Sequence, residues 1–153
     1  MIEAVSEKNL HEVLPLIKQY QQFYRAAEIS DAKNKNFFEQ FGENNPLGCQ
    51  FLFRDSDNED KSNHVIGFAT VYFSFSSTIA AKVGILNDVF TLPNHRGKGV
   101  ATALINHCLH YALAHGAARL QWVTAPDNIS AQRLYNSLNT GKSTWHLYTY
   151  NNT

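Results

Sequence analysis

The chain has 153 residues, 44% of them hydrophobic and 17% charged, a size and mixture that describe one globular domain over residues 1–153 and exclude a disordered or fibrous chain. Thirteen basic residues balance thirteen acidic ones, which excludes a nucleic-acid grip driven by bulk positive charge. No apolar run nears the roughly 20 residues of a membrane span, MIEAVSEKNL lacks a signal-peptide pattern, and two cysteines are too few for a disulfide framework, so a cytoplasmic protein without a membrane or nucleic-acid partner is expected.

The chain opens on a short strand-like run at 2–6. Leu10, Val13, Leu14, Ile17, Tyr20, Phe23 and Tyr24 then recur at three- and four-residue spacing, the mark of an amphipathic helix. Pro15 falls inside it, tolerated in the first turns and a source of a kink beyond them. A second helix is predicted over 31–41, with Asp31 as its cap, Phe37, Phe38 and Phe41 on one face, and Gly42 and Pro46 ending it. Strands are predicted over 49–53 and 64–75. The acidic stretch from Asp55 to Asp60 between them imitates the opening of a calcium loop, but Asp60 stands where that loop needs glycine and Ile66 where it needs glutamate. A solvated hairpin tip is the expectation there.

A third long strand is predicted over 83–91, followed by a turn and a helix over 100–115 with Leu104, Cys108 and Ala112 on its apolar face. A strand over 119–124, a helix over 128–138 and a closing strand over 143–150 complete the order β-α-α-β-β-β-α-β-α-β. That is an α/β chain with antiparallel hairpins early and helix-joined, parallel strands later.

The stretch from Val83 to Leu109 carries the most chemistry. An apolar strand runs into Arg96-Gly97-Lys98-Gly99 and straight into a helix. Glycine permits a tight turn and close backbone approach, and the first helical turn presents unpaired N–H groups with partial positive charge. Such a turn suits a phosphate or pyrophosphate, or is a plain strand-to-helix connection. A Walker loop requires an earlier glycine and a Ser or Thr after the lysine, where Gly99 stands; a dinucleotide fingerprint requires a third glycine, where Thr102 stands.

Arg96-Gly97-Lys98-Gly99-Val100-Ala101 resembles the R/Q-x-x-G-x-G/A loop of the GCN5-related N-acetyltransferase (GNAT) superfamily. Leu86-Asn87-Asp88-Val89-Phe90 looks like the strand that precedes that loop, and Asn128-Ile129-Ser130-Ala131-Gln132-Arg133-Leu134-Tyr135 is similar to its N-x-x-A-x-x-x-Y helix. The opening helix, with Tyr20, Phe23 and Tyr24, resembles the branch with diamine and histone-type acetyltransferases. The resemblance covers essentially the whole chain. It implies a mixed, mostly antiparallel α/β sheet flanked by helices, with splayed central parallel strands. It also implies acetyl-CoA as co-substrate, direct acetyl transfer to a primary amine of a polyamine, lysine side chain or other small molecule, and a homodimer.

Carried over by residue, the resemblance has the backbone of Val89, Phe90 and Thr91 pairing with the pantetheine arm and an amide near Phe90 polarising the thioester carbonyl. Gly97, Lys98, Gly99, Val100, Ala101 and Thr102 cradle the pyrophosphate, Arg96 and Lys98 add charge, and Asn128 and Ala131 flank the arm. Tyr135 matches the tyrosine that protonates the departing thiolate. A phenol can make that donation; Tyr135 can equally be an amphipathic residue closing the core. Asp88 is the odd residue in an apolar strand, either a group that takes the amine's proton through water or binds the ammonium by charge, or a carboxylate that holds backbone or a tyrosine.

Two departures from the branch are visible. Asn87 stands where many relatives carry glutamate, which leaves the acceptor open, and Asn139 replaces the usual glycine, with a left-handed helix cap expected. Glu28, Asp31, Glu39 and Glu43 form either an acidic mouth for the amine or a solvated helix face. His107, His110 and His115 lack a second ligand pair at zinc-like spacing, so no metal is expected. Cys49 and Cys108 read as core thiols, Trp122 as strand core and Trp145 as core or pocket wall. The rival to an enzyme is a catalytically silent acyl-CoA-binding sensor or scaffold, which keeps the loop and has no need of Tyr135.

Overall fold

The apolar runs at 65–76 and 81–91 become the two longest strands of the computed structural model, which describes residues 1–56 and 64–152. β1 (Ile2–Ala4), β2 (Gly48–Arg54), β3 (Val65–Ser76), β4 (Ala81–Thr91) and β5 (Leu120–Gln121) form one sheet in that spatial order. The first three pairings are antiparallel and the last is parallel. The helices are α1 (Leu10–Phe23), α2 (Asp31–Phe38), α3 (Val100–Ala114) and α4 (Ile129–Ser137). This is the expected mixed, mostly antiparallel sheet flanked by helices, with α3 crossing between the parallel strands. The chain divides into two compact units, Met1–Trp122, with the sheet and α1 to α3, and Val123–Thr153, with α4.

In the first unit, α1 buries Leu10, Val13, Leu16 and Ile17, one stripe of its 3.6-residue period. That stripe shares a core with Leu52, Phe68 and Phe90 from β2, β3 and β4. Pro15 sits in the second turn on the exposed side. Ser30, not Asp31, caps α2: its hydroxyl accepts from the Lys33 amide at 3.3 Å, and Asp31 becomes the first helical residue. The regular helix stops at Phe38, short of 41. Gln21 and Asn34 exchange two 2.8 Å hydrogen bonds and lock α1 to α2.

The other sheet face is covered by α3, which buries Val100, Leu104, Ile105, Cys108 and Ala112. A Cβ at Gly84 would lie 2.8 Å from the Ala112 methyl, so glycine lets helix and strand approach this closely.

Three further expectations fail. The closing strand over 143–150 does not form: Trp145, Leu147, Tyr148 and Tyr150 are 85–105% exposed, and the segment pairs with no strand among the described residues. A strand exists only within a ladder, and sequence alternation alone does not supply one. The 119–124 strand shrinks to Leu120–Gln121, so Trp122 lies beyond it and half-buried. Asn139 takes no left-handed cap; α4 ends on Leu138 with extended backbone. Residues 57–63, most of the acidic turn, lie outside the described residues.

Candidate active site

β4 pairs Asp88 with Thr70 and then Leu86 with Val71, so Asn87 is an extra, bulged residue. The bulge exposes Asn87 while Asp88 stays 5% exposed. The Asn87 amide donates to Asp88 Oδ2 at 3.3 Å. Among the described residues Oδ1 has no partner. Burial pushes the Asp88 carboxyl up to about 7, against the Thr70 hydroxyl and amide and the Asn87 amide, which favour the carboxylate. A carboxyl so poised exchanges a proton near neutral pH.

Past this point β4 has a free side. Among the described residues it pairs with β5 at Gly84 and Ile85 alone, so the strands splay and residues 86–91 face no described strand there. Leu92 donates to the Ile66 carbonyl, and antiparallel alternation then turns the Asp88 and Phe90 amides toward β3. The amides on the open edge are those of Val89 and Thr91. Thr91 is buried and its hydroxyl has no partner among the described residues.

A 3-10 turn, Pro93–His95, carries the chain from β4 to α3. Arg96 folds back: its Nε donates to the Thr91 carbonyl at 3.0 Å and its guanidinium lies 5.7 Å from the Phe90 ring centre. Gly97 and Gly99 adopt φ of +76° and +82°, left-handed backbone that glycine alone enters without strain. Nothing lies within 4 Å of where a Cβ would stand at either. Gly99 is the N-cap of α3 and no side chain caps the helix. The leading amides of Val100, Ala101 and Thr102 are therefore left to a ligand or to water, at the positive end of a 15-residue helix. Lys98 is exposed beside them.

In the second unit, Asn128 is the N-cap of α4 and its side chain accepts from the Ala131 amide at 3.4 Å. The N-x-x-A spacing is thus a helix cap and the third residue it serves. Tyr135 is half-buried in the last turn of α4, and its carbonyl accepts from the Thr140 hydroxyl at 2.9 Å. Asp88, Val89 to Thr91 and Arg96 to Thr102 share the first unit; Asn128, Ala131 and Tyr135 share the second.

Residues 13–139 match the acetyltransferase (GNAT) family. The chain belongs to this family. A Bacillus subtilis N-acetyltransferase, YhfO, itself uncharacterized, is 32% identical over 123 residues, 80% of this chain and 77% of its own. The mouse thialysine N-epsilon-acetyltransferase is 23% identical over 139 residues, 90% of this chain and 81% of its own. Among solved structures, a probable acetyltransferase superposes with a TM-score of 0.83 at 26% identity, covering 100% of this chain and 98% of the other. The aminoglycoside N-acetyltransferase AAC(6')-Iy in complex with CoA shares the fold, with a TM-score of 0.76 at 18% identity and full coverage of both chains.

This GNAT chain is therefore an acyl-CoA N-acyltransferase that acetylates amines with acetyl-CoA. Cys49 and Cys108 are fully buried, and burial pushes both thiols up, Cys49 to about 12. His107 lies edge-on to Phe51 at 4.5 Å, and burial, then His110, holds it below its ordinary value. Trp145, expected in the core or a pocket wall, is exposed. Sequence reasoning missed Gln50 and Thr70, polar residues inside apolar strands whose link to Asp88 appears only in the strand register.

Proposed function

We propose that this N-acetyltransferase acts on the primary amine of a lysine-like or polyamine acceptor, with Asp88 taking the amine's proton at Oδ1 and Tyr135 donating one through its hydroxyl to the leaving thiolate. The carrying observation is Asp88: a buried carboxyl with an oxygen unpartnered among the described residues, on the strand that leads into the glycine loop of α3, which no side chain caps there. Above about pH 7 that carboxyl is ionised and able to accept a proton.

Acetyl-CoA fits these residues. When bound it supplies an acyl group already activated as a thioester. The amides of Gly97 to Thr102 would hold its pyrophosphate, with Arg96 and Lys98 adding charge; the Arg96 Nε is already engaged by Thr91. The backbone of Val89, Phe90 and Thr91 would pair with the pantetheine arm, through the open-edge amides of Val89 and Thr91. Asn128 and Ala131 would flank it. The name of the thialysine acetyltransferase relatives supports a lysine-like amine. Residues 1–153 act as one N-acetyltransferase domain in this reading. Two free, buried cysteines support a reducing, cytoplasmic setting, and the family resemblance supports a homodimer.

Tyr135→Phe tests the assignment against a silent coenzyme sensor. The variant should bind coenzyme A as the wild type does, by calorimetry, and lose about a hundredfold in acetyl-transfer rate. A wild-type rate at several pH values would remove Tyr135 from the mechanism.

A further inference from the structure

Gln50, Thr70 and Asp88 interrupt three apolar strands at adjacent positions. Gln50 pairs with Thr70 and Thr70 with Asp88 in the register of β2, β3 and β4. Each lies two residues from Leu52, Phe68 or Phe90, which belong to the α1 core, so all three project from the α1 face. Gln50 and Thr70 are fully buried and Asp88 nearly so. Three polar side chains in an apolar core need a reason beyond packing.

Gln50 Nε2 donates to Thr70 Oγ1 at 3.2 Å. A threonine hydroxyl that accepts from Gln50 keeps its one proton to donate, and Asp88 stands opposite it in the register. The Thr70 hydroxyl and amide both act on the carboxyl, and Oδ1 is the oxygen without a partner. Thr70 stands opposite Asp88 in the register, and the Asn87 side-chain amide donates to Oδ2. Gln50 Oε1 is buried and unpartnered among the described residues, a desolvation cost accepted for this single bond.

We propose that Thr70 and Gln50 are positioning residues for Asp88: Gln50 fixes the Thr70 hydroxyl, Thr70 steadies the Asp88 carboxyl it faces, and Oδ1 is thereby held ready for the amine's proton. This rests on the reading of Asp88 as the base. The ladder favours the carboxylate and offsets part of the burial that opposes it. The titratable groups facing this region are Tyr20 of α1 and Tyr72 of β3 on the same face, with Cys108 of α3 and Cys49 of β2 on the other. Burial pushes both thiols up, so they stay neutral near pH 7.

The test is a carbon-13 NMR titration of the Asp88 carboxyl in the full chain, together with the pH profile of kcat/KM. Thr70→Val should raise the Asp88 midpoint by about one unit and carry the acid limb of the profile with it, at unchanged KM for acetyl-CoA. Thr70→Ser keeps the hydroxyl and should titrate as the wild type. Gln50→Met should shift the midpoint in the same direction by less. An unmoved midpoint in Thr70→Val overturns the ladder while leaving Asp88 as the base. Should that variant not fold, an unmoved midpoint in Gln50→Met overturns it instead. A wild-type rate and acid limb in Asp88→Asn would remove the base itself, and the ladder's purpose with it.

Discussion

A carboxyl held at about 7 by burial keeps a proton that the unfolded chain has released above pH 3.8, and folding stability depends on that difference. Between these values the folded state binds more protons than the unfolded one, so stability falls as pH rises and levels off above about 7. Asp88→Asn removes the charge. In urea denaturation at pH 8 it should therefore be more stable by at least about 1 kcal/mol, with the gain vanishing toward pH 4. Equal or lower stability at pH 8 would contradict an ionised Asp88 in the core. Asp88 itself was legible in the sequence as a charge within an apolar strand. Gln50 and Thr70 broke apolar runs in the same way, but their role depends on which residues stand opposite one another. That register hinges on the bulge at Asn87, a feature no residue pattern announces.

A charged clamp ties β1, β2 and α1 together. Arg54, at the end of β2, pairs with Glu3 of β1 and makes a bidentate contact with Glu12 of α1, at 2.9 and 2.7 Å. The hydrogen bonds from Arg54 hold Glu12 below its usual 4.5, outweighing burial. Stability from this group is fully present above pH 4.5 and is lost as pH falls through the lower folded value. Glu12→Gln should then cost about 1 kcal/mol at pH 7, discounted for the exposure of Glu12, and the difference from wild type should narrow as the pH falls below 4.5. A constant difference across that range in thermal or urea unfolding would show that the clamp acts by packing rather than charge. The elements that were legible are those with strong periodicity: α1, α3 and the β3–β4 hairpin. The α2 cap was misplaced by one residue because Ser30 and Asp31 are both good caps and only geometry selects between them. The closing strand failed because its aromatic alternation found no ladder.

Across the whole molecule, the first unit's sheet separates two tasks. Its α1 face holds the aromatic core with the polar ladder inside it, and β4 leads from there into the loop at the start of α3. The parallel β4–β5 pair was legible because a helix must cross between parallel strands, and the loop because glycine marks left-handed backbone. The acceptor was not legible. Specificity depends on how side chains from distant segments assemble, and Glu28, Asp31, Glu39 and Glu43 read equally as a binding mouth or a wet helix face. The most direct test is thiol release from acetyl-CoA by the purified chain, against separate pools of polyamines, amino acids, lysine peptides and aminoglycosides. Release should depend on one amine pool, rise through about pH 7, and drop about a hundredfold in Asp88→Asn. Coenzyme bound without release in any pool, or release indifferent to Asp88, would contradict the account.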